Sequence, residues 1–165
     1  ISNANQGMNW NRPLLDEARA MPNPTAYDTD FYLWTQQQAE LLRQGLLTEL
    51  DTAHLVDEIE DMGGSERHAL GSYLELVLLH LLKWKYQPER RGNSWKASIR
   101  NSRNRIERLV EFSPSLRRKI PEQLTTEYRR ARQDAVDETG LSLPTFPDQC
   151  PFTVEQVLDA AYWPD

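Results

Sequence analysis

The side chains best equipped for chemistry crowd into one stretch of this chain, HLLKWKYQPERRGNSWKASIRNSRNRIERL, residues 80–109. His80 opens it from within an apolar run. An imidazole titrates near neutral pH and can serve as acid, base or ligand, so its worth depends on which carboxylates reach it. Glu58 or Glu60 can approach it if the chain folds back, and His80 with Glu58 or Glu66 is the one enzyme-like grouping to be read. A metal centre asks for more. Helical di-metal sites place Glu and His three residues apart on facing helices. Neither Glu66 with His68 nor Glu75 with His80 has that spacing, and His54, His68 and His80 form no i, i+4 pair. No metal and no cofactor are expected.

Further along, Trp84, Tyr86 and Trp95 interleave with Lys83, Lys85, Arg90, Arg91, Lys96 and Arg100. Aromatic faces for stacking beside cations for phosphates are how single-stranded nucleic acid is often held. Lys96, Arg100 and Arg103 add a stripe at i, i+4 and i+7 of one helix. Residues 83–132 hold 15 Lys or Arg against 5 Glu, a net +10, while the rest of the chain carries −16 and the whole −6. The isoelectric point near 5.1 lies far from a nucleic-acid binder's usual basic signature. The favoured reading is therefore architectural: the acidic stretch from Asp57 to Glu66 faces the arginines across the fold, with guanidinium forks on carboxylates.

Other chemistry is thin. Ser65, Ser72, Ser94 and Ser102 lie in no Gly-x-Ser-x-Gly motif. Gly63-Gly64-Ser65 reads as a kink and a helix cap rather than an anion nest, since no phosphate-loop lysine follows. The single cysteine, Cys150, reads as a small hydrophobe and excludes an internal disulfide framework.

The elements that must position these residues are all helical, because apolar residues recur at helical spacing and alternation never persists. A first helix is predicted from Asp28 to Gln44, with Phe31, Trp34, Gln38, Leu41 and Leu42 inward and Gly45 as its stop. Asp51 caps a second, whose Val56, Ile59 and Met62 face inward and which breaks at Gly63-Gly64, two glycines costing about 2 kcal/mol against alanines. Ser65 caps a third that runs to Tyr86 and is greasy nearly all round from Leu74 to Trp84, so other elements must surround it. A fourth spans about 93–112. Ser113-Pro114 then opens a short helix, Pro121 opens one running to Thr139, and a capping box at Thr153 opens the last. Between them LSLPTFPDQCPF is expected to lie extended across the bundle. The opening ISNANQGM reads as a tag scar and native tail, continuing to residue 25 as an extended arm. No apolar run approaches the roughly 20 residues of a membrane span.

Five passages are distinctive: YDTDFYLWTQQQAELLRQG, LVDEIEDMGGSERHAL, the stretch from residue 80 quoted above, SPSL, and CPFTVEQVLDAAYWP. Across Tyr27 to Pro164 the chain resembles the bacterial family of domain of unknown function twenty-nine. The resemblance implies an all-α, single-domain bacterial protein and carries no reaction, substrate or catalytic residue.

The sequence thus predicts residues 26–165 as a single-domain bundle of four main helices plus short C-terminal ones around a central apolar helix at about 66–86. Its expected role is a non-enzymatic binding module of the cytoplasm, with a protein partner or a second copy and no membrane. The alternative is nucleic-acid binding through 83–108, and the third reading is an enzyme with a His–carboxylate site. The candidate patch is His80, Trp84, Trp95, Arg91, Lys96, Arg100, Arg103, Glu58 and Glu66.

Overall fold

Prolines and left-handed glycines set several of the helix ends among the described residues. The computed structural model describes residues 25–165, and every regular element among them is helical: α1 (Ala26–Thr29), α2 (Phe31–Gln44), α3 (Thr52–Tyr86), α4 (Asn93–Phe112), α5 (Ile120–Thr139) and α6 (Val154–Leu158). The all-α class read from the sequence is the class the chain adopts. Gly45 and Gly140, at φ 72° and 71°, end α2 and α5 in the left-handed conformation that costs glycine least. Pro88 turns the chain into a 3-10 turn after α3, and Pro114 opens another before α5. The arm assigned to 1–25 lies outside the described residues but for Thr25. The described residues fall into two compact units, one ending at Leu55 and one from Val56 to Asp165.

In the first unit the helix expected from Asp28 is divided at Asp30. That residue leaves helical geometry, and its carboxylate accepts from the Leu33 amide at 2.9 Å, so it caps α2. Trp34 is the buried centre, with the Tyr27 and Phe31 rings 5.0 and 5.5 Å away and its indole N–H donating to Asp51 at 3.2 Å. The Asp51 amide donates to Gln38, which is buried, and the Asp51 carboxylate receives the His54 amide at 3.4 Å as the expected cap. Phe31 and Leu42, predicted to face inward, are about half exposed. The cluster encloses the indole and leaves the outer side of α2 open.

The second unit is built on α3, which runs without a break through Gly63-Gly64. The predicted interruption is therefore absent, and Ser65 sits inside a helix instead of capping one. A glycine pair penalises a helix without forbidding it; fully packed turns beyond Gly64 offset the penalty. The central apolar helix lies where expected: Leu70, Leu74, Val77, Leu78, Leu81 and Leu82 have no exposed surface. Around them pack Ile99, Ile106 and Val110 of α4, Ile120, Leu124 and Tyr128 of α5, and Phe146, Phe152 and Val157 beyond. At Gly71 the approach of α5 is so close that a Cβ would stand 2.8 Å from the Glu127 carboxylate.

The proline-rich loop is strapped to α5. Tyr128 donates its hydroxyl to the Pro147 carbonyl at 2.6 Å, Arg132 donates to the Phe146 carbonyl at 3.0 Å, and Phe146 is fully buried. Thr153 and Gln156 form the anticipated capping box of α6. Ser113 departs from expectation. Its hydroxyl caps nothing and donates instead to Glu66 at 2.6 Å, tying the end of α4 to α3.

Candidate functional site

The last turn of α3 presents Trp84 to two cations that follow it. Past the Pro88 turn, Arg91 donates its Nε–H to the Trp84 carbonyl at 2.8 Å and lays its guanidinium 5.2 Å from the Trp84 ring. From the first turn of α4, Lys96 places its ammonium 5.7 Å from the same ring. The negative face of an indole attracts such charges. A further neighbour is Trp163, 4.7 Å away, and Trp163 in turn has the Arg103 guanidinium 6.0 Å from its ring. Arg91, Lys96, Trp84, Trp163 and Arg103 thus form one cation–aromatic ladder. Trp163 escaped the sequence reading: it lies 79 positions from its partner, and only its being a tryptophan near the chain's end hinted at packing.

Trp95 does not join this ladder. It lies under the Lys83 ammonium at 4.8 Å, and Lys83, itself buried, makes an ion pair with Glu138 of α5. Arg103 departs furthest from expectation. It is 5% exposed, and its Nε, Nη1 and Nη2 donate to the carbonyls of Val157, Tyr162 and Gln156 at 2.8, 3.2 and 3.0 Å. The stripe of Lys96, Arg100 and Arg103 therefore splits: Arg100 is exposed, while Arg103 clasps the C-terminal segment. Burial lowers the pKa of Arg103, with the nearby Asp159 opposing.

The favoured pairing of these arginines with Asp57–Glu66 does not form. Arg91 and Arg103 turn to carbonyls, Arg90, Arg100, Arg105 and Arg108 are exposed, and Glu66 takes the Ser113 hydroxyl. The cause is the unbroken α3, which carries the acidic stretch onward along its axis instead of folding it back. The same geometry removes the His–carboxylate grouping. At 1.5 Å per residue, Glu58 is roughly 33 Å and Glu66 roughly 21 Å along the helix from His80. His80 instead donates its Nδ1–H to the Leu76 carbonyl at 2.8 Å, one turn back. Burial lowers its pKa below the ordinary 6.5, which favours the neutral imidazole, with the Leu76 hydrogen bond and Glu138 opposing. Among the described residues no group of three or more His, Cys, Asp or Glu is placed to hold a metal ion. The Cys150 thiol donates to the Phe152 carbonyl at 3.4 Å, and burial pushes its pKa up.

A different surface stands out on the first turns of α3 within the second unit. Val56, Ile59 and Met62, predicted inward, are 47%, 66% and 71% exposed. They follow one another at i, i+3 and i+6, which sets them along one side of the helix. A shallow cleft of about 500 Å³ runs beside them, lined by Ile59, Met62, Gly63, Ser65 and Glu66. Asp57, Glu60 and Asp61 on the same turns are exposed. Among the described residues no helix is long and apolar enough to cross a membrane.

No curated protein and no solved structure matches the chain. A family model does match, over residues 26–163, which includes both the cation–aromatic ladder and the open apolar row. The chain belongs to the family described as Domain of unknown function DUF29.

Proposed function

We propose that this protein is a non-enzymatic interaction module that binds a basic amphipathic helix of a partner protein along the first turns of α3. The observation carrying the reading is the exposed row of Val56, Ile59 and Met62. Single exposed apolar residues are ordinary, but three in helical register beside a cleft form the kind of strip that a partner helix covers. The flanking Asp57, Glu60 and Asp61 select the partner's charge. A second copy docking the same strip would set these carboxylates against their own kind, so a self-complementary dimer there is disfavoured. A segment with Leu or Ile on one face and Lys or Arg beside them fits both features.

Nucleic-acid binding through 83–108 has less support. Trp84 is buried among Trp163 and its cations, so a base would have to displace them, and Arg103 is committed to carbonyls. The fold boundary of the module is taken as 26–165, since the family model runs through both compact units. A half-buried, hydrogen-bonded thiol at Cys150 is compatible with the reducing bacterial cytoplasm.

The test is a titration of the protein with two amphipathic helical peptides, one of Leu and Lys and one of Leu and Glu, followed by amide NMR. Saturable shifts centred on residues 56–66 are expected with the Leu/Lys peptide alone, weakening with salt. Ile59→Ser with Met62→Ser, which leaves every charge in place, is expected to weaken binding at least about tenfold, the loss of two buried apolar contacts. Equal binding by the double variant reduces the effect to charge alone and overturns the reading. So does a concentration-dependent dimer in sedimentation that the double variant abolishes, because the strip then belongs to a second copy.

A further inference from the structure

A second concavity lies away from the α3 strip, between α4, the 3-10 turn Pro114–Lys119, the start of α5 and the end of α6 with the residues that follow it. Its volume is about 320 Å³, the lower end of the range in which proteins hold small molecules. Ile106, Val110, Ile120 and Leu158 make an apolar lining. All but Leu158 belong to the buried core, so the cleft reaches down to core side chains instead of resting on surface ones.

The polar lining is asymmetric. Arg103 borders the cleft; Asp159 acts on its charge from nearby, but no carboxylate among the described residues pairs with it directly. Its three carbonyl partners use three of the five guanidinium N–H groups, leaving two. Carbonyl dipoles solvate a buried cation without neutralising it, so an anion entering the adjoining space would gain from its charge. Arg117, also lining the cleft, is exposed and makes no ion pair among the described residues. Glu107 and Asn104 complete the rim. With two guanidinium groups and one carboxylate the lining carries a formal +1. A single carboxylate neutralises that charge, whereas a phosphate dianion leaves the occupied site at −1 beside Glu107 and is the poorer match.

We infer that this cleft binds a small carboxylate on an apolar body about the size of a phenyl or isobutyl group, its carboxylate toward Arg103 and Arg117 and its body on Ile106, Val110 and Ile120. Two sources share this chemistry: a simple apolar acid, and an apolar amino acid whose ammonium meets Glu107. The site is separate from the α3 strip and stands or falls without it.

Amide NMR titrations of the whole chain with phenylacetate, phenylalanine, phenylacetamide and phenyl phosphate decide the matter. Saturable shifts of α4 and α6 amides with phenylacetate or phenylalanine, at a Kd below about 1 mM, are expected. Phenylacetamide is expected to bind at least about tenfold more weakly, for loss of the carboxylate–guanidinium contact, and phenyl phosphate more weakly than phenylacetate, because its second charge is left uncompensated beside Glu107. Arg117→Gln, at an exposed position that leaves the fold alone, is expected to weaken the better ligand about tenfold. Tighter binding of phenylalanine, lost in Glu107→Gln, assigns the amino acid; tighter binding of phenylacetate assigns the simple acid. Equal binding of phenylacetamide, indifference to Arg117→Gln, or no saturable shift with either carboxylate overturns the site.

Discussion

Along one continuous helix, the turns from Val56 to Met62 hold apolar side chains open to solvent, while those from Leu70 to Leu82 hold theirs at the centre of the fold. Both halves contain apolar residues at helical spacing, so spacing alone does not decide which is core. What differs is density. The second half is apolar nearly all round and has α4, α5 and the C-terminal segment to cover it. The first has a single row with carboxylates on the remaining circumference, which is the pattern of a helix that packs on one side or waits to do so. The contrast teaches that α3 is one backbone serving two purposes, a core at one end and a presented strip at the other.

The largest expected effect tests the core end. Leu78→Ala removes a fully enclosed side chain from the middle of the cluster and should cost about 3 kcal/mol in urea unfolding. Ile59→Ser, 19 positions earlier on the same helix, should change stability by less than about 0.5 kcal/mol. Comparable losses at the two positions would mean that the row is core after all. Next in size is Arg103→Ala, which strands three carbonyls of the C-terminal segment and should cost about 2 kcal/mol, whereas Arg100→Ala, exposed one turn earlier, should cost almost nothing.

Glycines sharpen the comparison with opposite signs. A Cβ at Gly63 or Gly64 would meet nothing within 4 Å, so replacing both by alanine should stabilise the protein by about 1–2 kcal/mol through helix propensity alone. At Gly71 the same change drives a methyl to 2.8 Å from Glu127, a buried carboxylate held by Arg130. The propensity gain is then spent on moving a bonded side chain, and a net loss of up to about 1 kcal/mol is expected. Thermal melts of the two variants should move in opposite directions. A loss at Gly63-Gly64 would show that the pair is a hinge and not merely a tolerated penalty.

What was legible in the sequence follows from where each signal resides. Helix ends at Gly45, Pro88, Gly140 and Thr153 were readable because capping and proline geometry act within a turn. The central helix was readable because a segment apolar on every side has one destination. Continuity through Gly63-Gly64 was not, since it depends on packing beyond the glycines and not on the glycines themselves. Nor were the partners of Arg103. A carboxylate partner leaves a mark in the sequence, but every residue supplies a carbonyl, so the residues 156–162 that receive this guanidinium carry no distinguishing letter. The candidate patch suffered accordingly. Its aromatic and basic members Trp84, Arg91, Lys96 and Arg103 do come together, while His80, Glu58 and Glu66 stay spread along α3.

Carboxylates offer the finest test of the two halves. In the open half, Asp57, Glu60 and Asp61 face water. In the enclosed half, Glu75 is partly buried, and its pKa rises above the ordinary 4.5 chiefly through burial, then through a hydrogen bond with Asp134 and the charges of Asp134 and Glu127, with Arg130 opposing. As pH rises from 4.5 through that raised value, the unfolded chain has already released a proton that the folded chain still holds. The folded state binds more protons there, so stability falls with rising pH across this window. Glu75→Gln removes the ionisation and should lift the melting temperature at pH 7, with the advantage shrinking as pH approaches 4. A Glu75→Gln advantage that stays constant from pH 4 to 7 would assign the effect to packing and leave the enclosed half without the strained carboxylate that separates it from the open one.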